Sequence, residues 1–158
     1  MADDLPRPCF WLLKSEPDSY SIDDLEHEGR TPWDGVRNFS ARNRLRQMQE
    51  GELAFFYHSS TRPTAVVGLC RVCRAAYPDP SQFDPDSAYF DPKSTEDAPR
   101  WSMVDVEFVS RLPEAVTLEQ IKGEAPLADM VLLRRGRLSV QPVTAAQFEH
   151  IVTMASRS

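Results

Sequence analysis

Apolar and polar positions along the chain change period several times, and each change marks an element. Residues 9–14, CFWLLK, form a short apolar run closed by a charge, the pattern of a buried strand. Ser21-Ile-Asp-Asp24 then opens a short helix. The Ser21 hydroxyl can satisfy a free N–H, Asp24 answers three residues later, and Gly29 is the stop. Between 40 and 50, Ala41, Leu45 and Met48 recur at helical spacing, with Ser40 as cap and Gly51 as terminator. The β-formers of 52–58, ELAFFYH, and 64–72, TAVVGLCRV, predict two strands joined by SSTRP as a hairpin loop. Residues 101–112, WSMVDVEFVSRL, alternate: Val104, Val106 and Phe108 share one face, Asp105 and Glu107 the other. A short capped helix is predicted over 117–122 and another over 127–133, ending at Gly136. RLSVQP, 137–142, reads as a last short strand. Thr144 and Gln147 form a capping box, and Phe148, Ile151 and Val152 give the final helix an apolar face. Between 78 and 100 lie Pro78, Pro80, Pro85, Pro92 and Pro99 among many Asp and Ser, which predicts a long loop inside one domain.

Clustered strands with helices at their sides predict an α+β fold, a single domain over 1–158 built on a strongly bent sheet or small β-barrel. The order does not read as βαβαβ, so a doubly wound sheet is disfavoured. With 41% hydrophobic and 27% charged residues, the chain is too apolar for disorder, and no apolar run reaches the ~20 residues of a membrane helix. No secretory leader is visible, and three cysteines do not make a disulfide framework, so a reducing cytoplasm is the expected compartment. The net charge of −6 argues against a broad nucleic-acid coat. The distribution is uneven, however. Arg30, Arg37, Arg42, Arg44 and Arg46 face Asp34 alone between 30 and 46, and Arg134, Arg135 and Arg137 follow later. Folded together, they would place one positive patch on an acidic body; the alternative is two solvated helix faces.

Catalytic chemistry finds little support. Cys70 and Cys73 have the C-x-x-C spacing but lack further ligands, and in a strand positions three apart face opposite sides. His27, His58 and His150 have no metal-site spacing, and there is no G-x-S-x-G elbow, phosphate loop, G-x-G-x-x-G or zinc-deaminase motif. Asp23 and Asp24 read as helix N-terminal charges. The expectation is a non-enzymatic protein with no cofactor and no metal. What remains is a binding constellation. Lys14-Ser15 follows the first strand, Trp33 sits in a turn-rich segment, and Asn38, Tyr57, His58 and Ser139 lie at the ends of elements. Trp33 is either a core plug or a stacking platform. An aromatic face with a few edge-reading polar groups is what an unstacked base requires.

WLLKSEPDSYSIDDL, TPWDGVRNFSARN, ELAFFYHSS, AYPDPSQFDP with YFDPKS, PRWSMVDVEFV and LLRRGRLSVQPVT together resemble the EVE domain family. The resemblance runs over about 9–150. It implies a PUA-like bent β-barrel with flanking helices, akin to YTH and ASCH domains. It also implies a non-enzymatic module that reads a modified base: 5-methylcytosine, 5-hydroxymethylcytosine or methyladenine. DNA is the favoured partner. RNA is the alternative, and a small nucleotide-processing enzyme a more distant one. Carried over by position, Trp33 would stack on the flipped base, and Lys14, Ser15 and Asn38 would meet its edge or phosphate. Tyr57 or His58 would close the opposite wall, and Ser139 and Gln141 would line the same pocket. Arg37, Arg42, Arg44, Arg134 and Arg135 would hold phosphates. Phe39 departs from the tyrosine of many relatives. A monomer without membrane contact is expected.

Overall fold

The computed structural model of the chain describes Arg7 and residues 9–157. Six strands form one sheet in the order β2-β5-β4-β3-β1-β6. They are β1 (Phe10–Ser15), β2 (Arg30–Pro32), β3 (Leu53–His58), β4 (Ala65–Pro78), β5 (Ser102–Thr117) and β6 (Val140–Val143). β1 runs parallel to β3, and the other neighbours are antiparallel. The sheet is bent but open, with β2 and β6 at its edges. Register shifts let it bend: one between Phe56 and Tyr57 in β3 and four along the β4–β5 ladder.

Both faces are covered, which explains the unbroken apolar run of β1. Trp11 and Leu13 face α1 (Ile22–Glu28) and α2 (Phe39–Gln47) with Leu25, Ala41, Leu45 and Phe56. Leu12 faces the other way, into a second core with Phe55, Ile121, Met130 and Ile151. That side is closed by α3 (Leu118–Lys122), α4 (Val131–Arg134) and α5 (Ala145–Ala155). Phe148 stacks between Phe10 and Phe55, with ring centroids at 4.3 and 4.6 Å.

The capping boxes form as expected: Ser21 with Asp24, and Thr144 with Gln147. Gly29 ends α1 at φ +83°, a conformation that costs a side chain strain. Other boundaries differ. β4 and β5 extend well past the expected strands, pairing Tyr77 with Met103 and Val116 with Val66. The stretch 127–133 splits into a 3-10 turn, Ala125–Leu127, and the single turn of α4. The last strand begins only at Val140, because 135–138 is a turn with Leu138 N donating to Arg135 O. α2 is capped by Asn38, whose side chain accepts from Ala41 N, and not by Ser40; it ends at Gln47.

The long 78–100 segment is ordered from its base. Gln82 is fully buried, and its Nε2 donates to the carbonyls of Asp79 and Trp101 at 2.7 and 2.8 Å. Its Oε1 accepts from the Arg100 and Trp101 amides at 3.1 and 3.0 Å. One amide thus ties both ends of the excursion together.

Candidate nucleic-acid interface

A cleft of about 530 Å³ opens where the ends of β1 and β2 meet the turn before β6. Lys14, Ser15, Tyr20, Trp33, Asp34, Tyr89 and Ser139 are among its lining residues. Trp33 is 8% exposed and belongs to the first core, with its ring edge-on to Tyr20 at 6.5 Å and to Phe56 at 5.5 Å. It is therefore a core plug and a cleft wall at once. Its amide donates to Val104 O at 2.7 Å, which pins this loop to β5.

The next turn is held just as firmly. Gly35 N and Arg37 Nη1 both donate to the Asp79 carboxylate, at 2.8 and 3.1 Å, and Asp79 is fully buried. Burial acts to raise the Asp79 pKa, but bonds from Ser81, Gly35 and Arg37 outweigh it and hold the carboxyl below its usual range. Gly35 has φ +77°, and a Cβ there would lie 2.8 Å from the Tyr89 ring. Tyr89, 46% exposed, packs on that glycine and forms the outer aromatic wall.

The polar lining divides into committed and open groups. The Lys14 ammonium donates to Gly136 O, lies 5.6 Å from the Tyr57 ring centroid, and has its pKa pushed down by burial. Ser15 Oγ donates to Tyr20 O at 2.5 Å. Tyr20 Oη donates to Glu28 at 2.5 Å, and burial with that carboxylate pushes its pKa up to about 12. No other described residue hydrogen-bonds to the side chains of Ser139 and Asp34; the Asp34 carboxyl has a hydrogen bond only from its own backbone. Burial, and then the Asp79 carboxylate, push the Asp34 pKa up.

A second groove of about 280 Å³ lies beside the first, lined by Asn38, Arg134, Arg135, Gly136, Arg137 and Leu138. Gly136 links the two, since its carbonyl holds Lys14. Arg134 pairs with Asp129 at 2.6 Å, whereas Arg135 and Arg137 have no ion-pair partner among the described residues.

Of the residues singled out in the sequence, Lys14, Ser15, Trp33, Arg37 and Ser139 meet in the main cleft. Asn38, Arg134 and Arg135 meet in the second groove. Tyr57, His58 and Gln141 line neither. Tyr57 alternates onto the face of the second core, beneath Lys14. His58 Nε2 accepts from Ile22 N at 3.1 Å and so caps α1. Gln141 is buried; its Nε2 donates to Leu138 O at 2.8 Å and Arg135 O at 3.2 Å, which shapes the arginine turn. Arg42 donates to Arg100 O at 2.9 Å and Arg44 to Gln47 at 3.0 Å, both away from the two clefts. Tyr20, Asp34 and Tyr89 complete the cleft; each lies in a motif quoted above, but none was singled out as a site residue. Asp34 directly follows Trp33, and Tyr89 is one aromatic in a proline-rich loop; only the fold brings them together. Cys70 is buried and Cys73 half-buried, both as free thiols. No group of three His, Cys, Asp or Glu that could hold a metal occurs among the described residues.

The EVE domain model matches residues 9–154. The chain belongs to the EVE domain family. Thymocyte nuclear protein 1 of Homo sapiens is similar to this EVE domain, 42% identical over 166 residues that span 93% of this chain and 74% of the relative. The crystal structure of human THYN1 in complex with 5-methylcytosine-containing DNA superposes with a TM-score of 0.91 at 41% identity. That match covers 95% of this chain and 99% of the other. The YTH domain of Zygosaccharomyces rouxii MRB1, in complex with N6-methyladenosine RNA, gives a TM-score of 0.55 at 14% identity, covering 97% and 90%. The last likeness shows the fold alone. It places the EVE domain among PUA-like architectures, as the bent sheet with flanking helices had indicated.

Proposed function

We propose that this EVE domain binds nucleic acid, DNA by preference, and takes one modified base into the Trp33 cleft without catalysis. The observation that carries the reading is the cleft itself. Aromatic side chains from three separate segments, Tyr20, Trp33 and Tyr89, wall a space beside an arginine-lined groove. Human THYN1, 41% identical, is known in complex with 5-methylcytosine-containing DNA, which favours a modified cytosine in DNA as ligand.

In this reading the base leaves its stack and enters between Tyr89 and Trp33. Unstacking costs a few kcal/mol. Aromatic stacking returns about 1–3 kcal/mol, so hydrogen bonds to the base edge supply the remainder. Lys14, Ser15 and Ser139 are placed to make them. The Arg134–Arg137 turn carries flanking phosphates, with Arg135 and Arg137 free to do so. Arg37 supports the cleft through Asp79 rather than meeting phosphate. A single methyl group in an apolar pocket gives only about 1–3 kcal/mol of discrimination, so selectivity for the modification is moderate.

Fluorescence anisotropy with oligonucleotides bearing 5-methylcytosine, 5-hydroxymethylcytosine or N6-methyladenine, as DNA and RNA, tests this directly. Tyr89→Ala and Trp33→Ala are compared with wild type. Tyr89 is exposed, so its loss should weaken binding roughly tenfold, the value of one base–aromatic contact, while the melting temperature stays unchanged. Binding by both variants as tight as wild type, or indifference to every modification, would overturn the assignment. Preference for RNA would redirect it to the other nucleic acid.

A further inference from the structure

We propose that the Asp34 carboxyl reads the exocyclic amine of the bound base, so that the cleft takes an aminopyrimidine and rejects its 4-oxo counterpart. This rests on the base-binding reading above and specifies which ring edge that cleft accepts.

The chemical problem is set by the ligand class. 5-Methylcytosine and thymine have the same ring size, the same methyl group and the same stacking faces. They differ at position 4, amine against carbonyl, and at N3, acceptor against donor. Aromatic walls cannot separate them, and DNA contains thymine in large excess. A cleft that selects methylcytosine therefore needs a polar group at the amine. Carboxylates are suited to this, since they accept from the cytosine N4 amine and offer no donor to a carbonyl.

Asp34 meets the requirements on position. It lines the cleft directly after Trp33 and shares it with Tyr20 and Tyr89. Its neighbours on both sides are fixed, Trp33 N to Val104 O at 2.7 Å and Gly35 N to Asp79 Oδ2 at 2.8 Å. The carboxyl is thus presented on rigid backbone, as a site that discriminates by geometry needs. It is also uncommitted. Arg37, the cation nearest in sequence, is engaged by Asp79, Ser81 and the Tyr89 carbonyl. Donors stand elsewhere around the same cleft: the unpartnered Ser139 hydroxyl and the Lys14 ammonium. Together they form a donor-and-acceptor pattern that matches cytosine, whose O2 and N3 accept while N4 donates. Thymine in the same position would set O4 against the carboxylate. To offer its N3–H instead, it must slide along the wall and leave the donors. The other acid of the cleft, Glu16, lies in the turn after β1, where its carbonyl accepts from the Ser19 and Tyr20 amides. It has no such fixed relation to the Trp33 wall.

The test measures affinity for duplexes that carry methylcytosine, cytosine, thymine or uracil opposite an abasic site, so that no Watson–Crick pair is lost on extrusion. Wild type is expected to bind methylcytosine at least roughly tenfold more tightly than thymine, within the range of one specific edge contact. Asp34→Asn, whose amide can rotate to accept or donate, should bring the two affinities within about twofold of each other, most of the change appearing as gained thymine binding. Asp34→Ala should lose methylcytosine affinity without gaining thymine. Equal wild-type affinity for methylcytosine and thymine overturns the inference while leaving base binding intact, as does an unchanged ratio in both variants. Failure of wild type to bind any of the four, with thermal melting showing a folded protein, removes the base-binding reading and this inference together.

Discussion

The His58 imidazole accepts the Ile22 amide at 3.1 Å, and burial, reinforced by Arg111 and opposed by Asp23, pushes its pKa down from the ordinary 6.5. Only the neutral ring can accept that bond. As pH falls, the unfolded chain protonates first, so this contribution is complete above 6.5 and shrinks below it. Between about pH 7 and pH 5 the wild type should therefore lose more stability in urea titrations than His58→Gln does. Glu52 titrates in a different window. It is buried, yet its carboxylate accepts from Gln49 N at 2.8 Å, Trp11 Nε1 at 3.0 Å, Cys9 N at 3.0 Å and Arg7 at 2.7 Å. Burial acts to raise its pKa, but these donors prevail and hold it below the usual 4.5. Its stabilisation is present above that value and is lost as acid protonates it. Glu52→Gln is expected to cost about 1–3 kcal/mol at neutral pH, since an amide must turn a donor toward donors. The gap from wild type should close in acid, and denaturation at several pH values checks both windows.

At the scale of elements, the 79–101 excursion depends on one buried amide at its base. Replacing Gln82 by Ala leaves the carbonyls of Asp79 and Trp101 and the amides of Arg100 and Trp101 without those partners. Hydrogen exchange should then quicken across 84–98 while the amides of β3 stay protected, because the excursion opens as a unit apart from the sheet. Uniform loss of protection would mean that Gln82 stabilises the whole fold instead. The contrast explains what the sequence could reveal. The capping boxes, the apolar faces of α1 and α5 and the alternation in β5 are local, written within a few residues. β2 and the far halves of β4 and β5 are not. Arg30–Pro32 is a strand only because β5 lies beside it. The site divides in the same way. Lys14, Ser15, Trp33 and Ser139 stood out in their motifs, whereas Tyr89 reaches the cleft through long-range ties: Arg37 donating to its carbonyl, the Gln82 amide at the loop base and the bare backbone of Gly35.

The whole molecule is acidic, at −6, yet Arg135 and Arg137 border the second groove without ion-pair partners among the described residues. Affinity for nucleic acid should fall with salt, but with a shallow slope, because few cations are free to displace counterions. Arg135→Ala should reduce the slope by about 1 and weaken all sequences alike, with little effect on melting temperature. An unchanged slope would move the phosphate contact elsewhere. The place of β1, one strand in from the β6 edge, has a consequence for synthesis. That strand lies between β3, with Leu12 beside Phe55, and β6, where Leu12 meets Gln141. Its second edge stays bare until β6, far along the chain, has been made. The walls that hold Lys14 and Ser139 do not exist before then. A chain stalled before β6 has an open strand edge in place of the cleft wall, prone to pair with other chains.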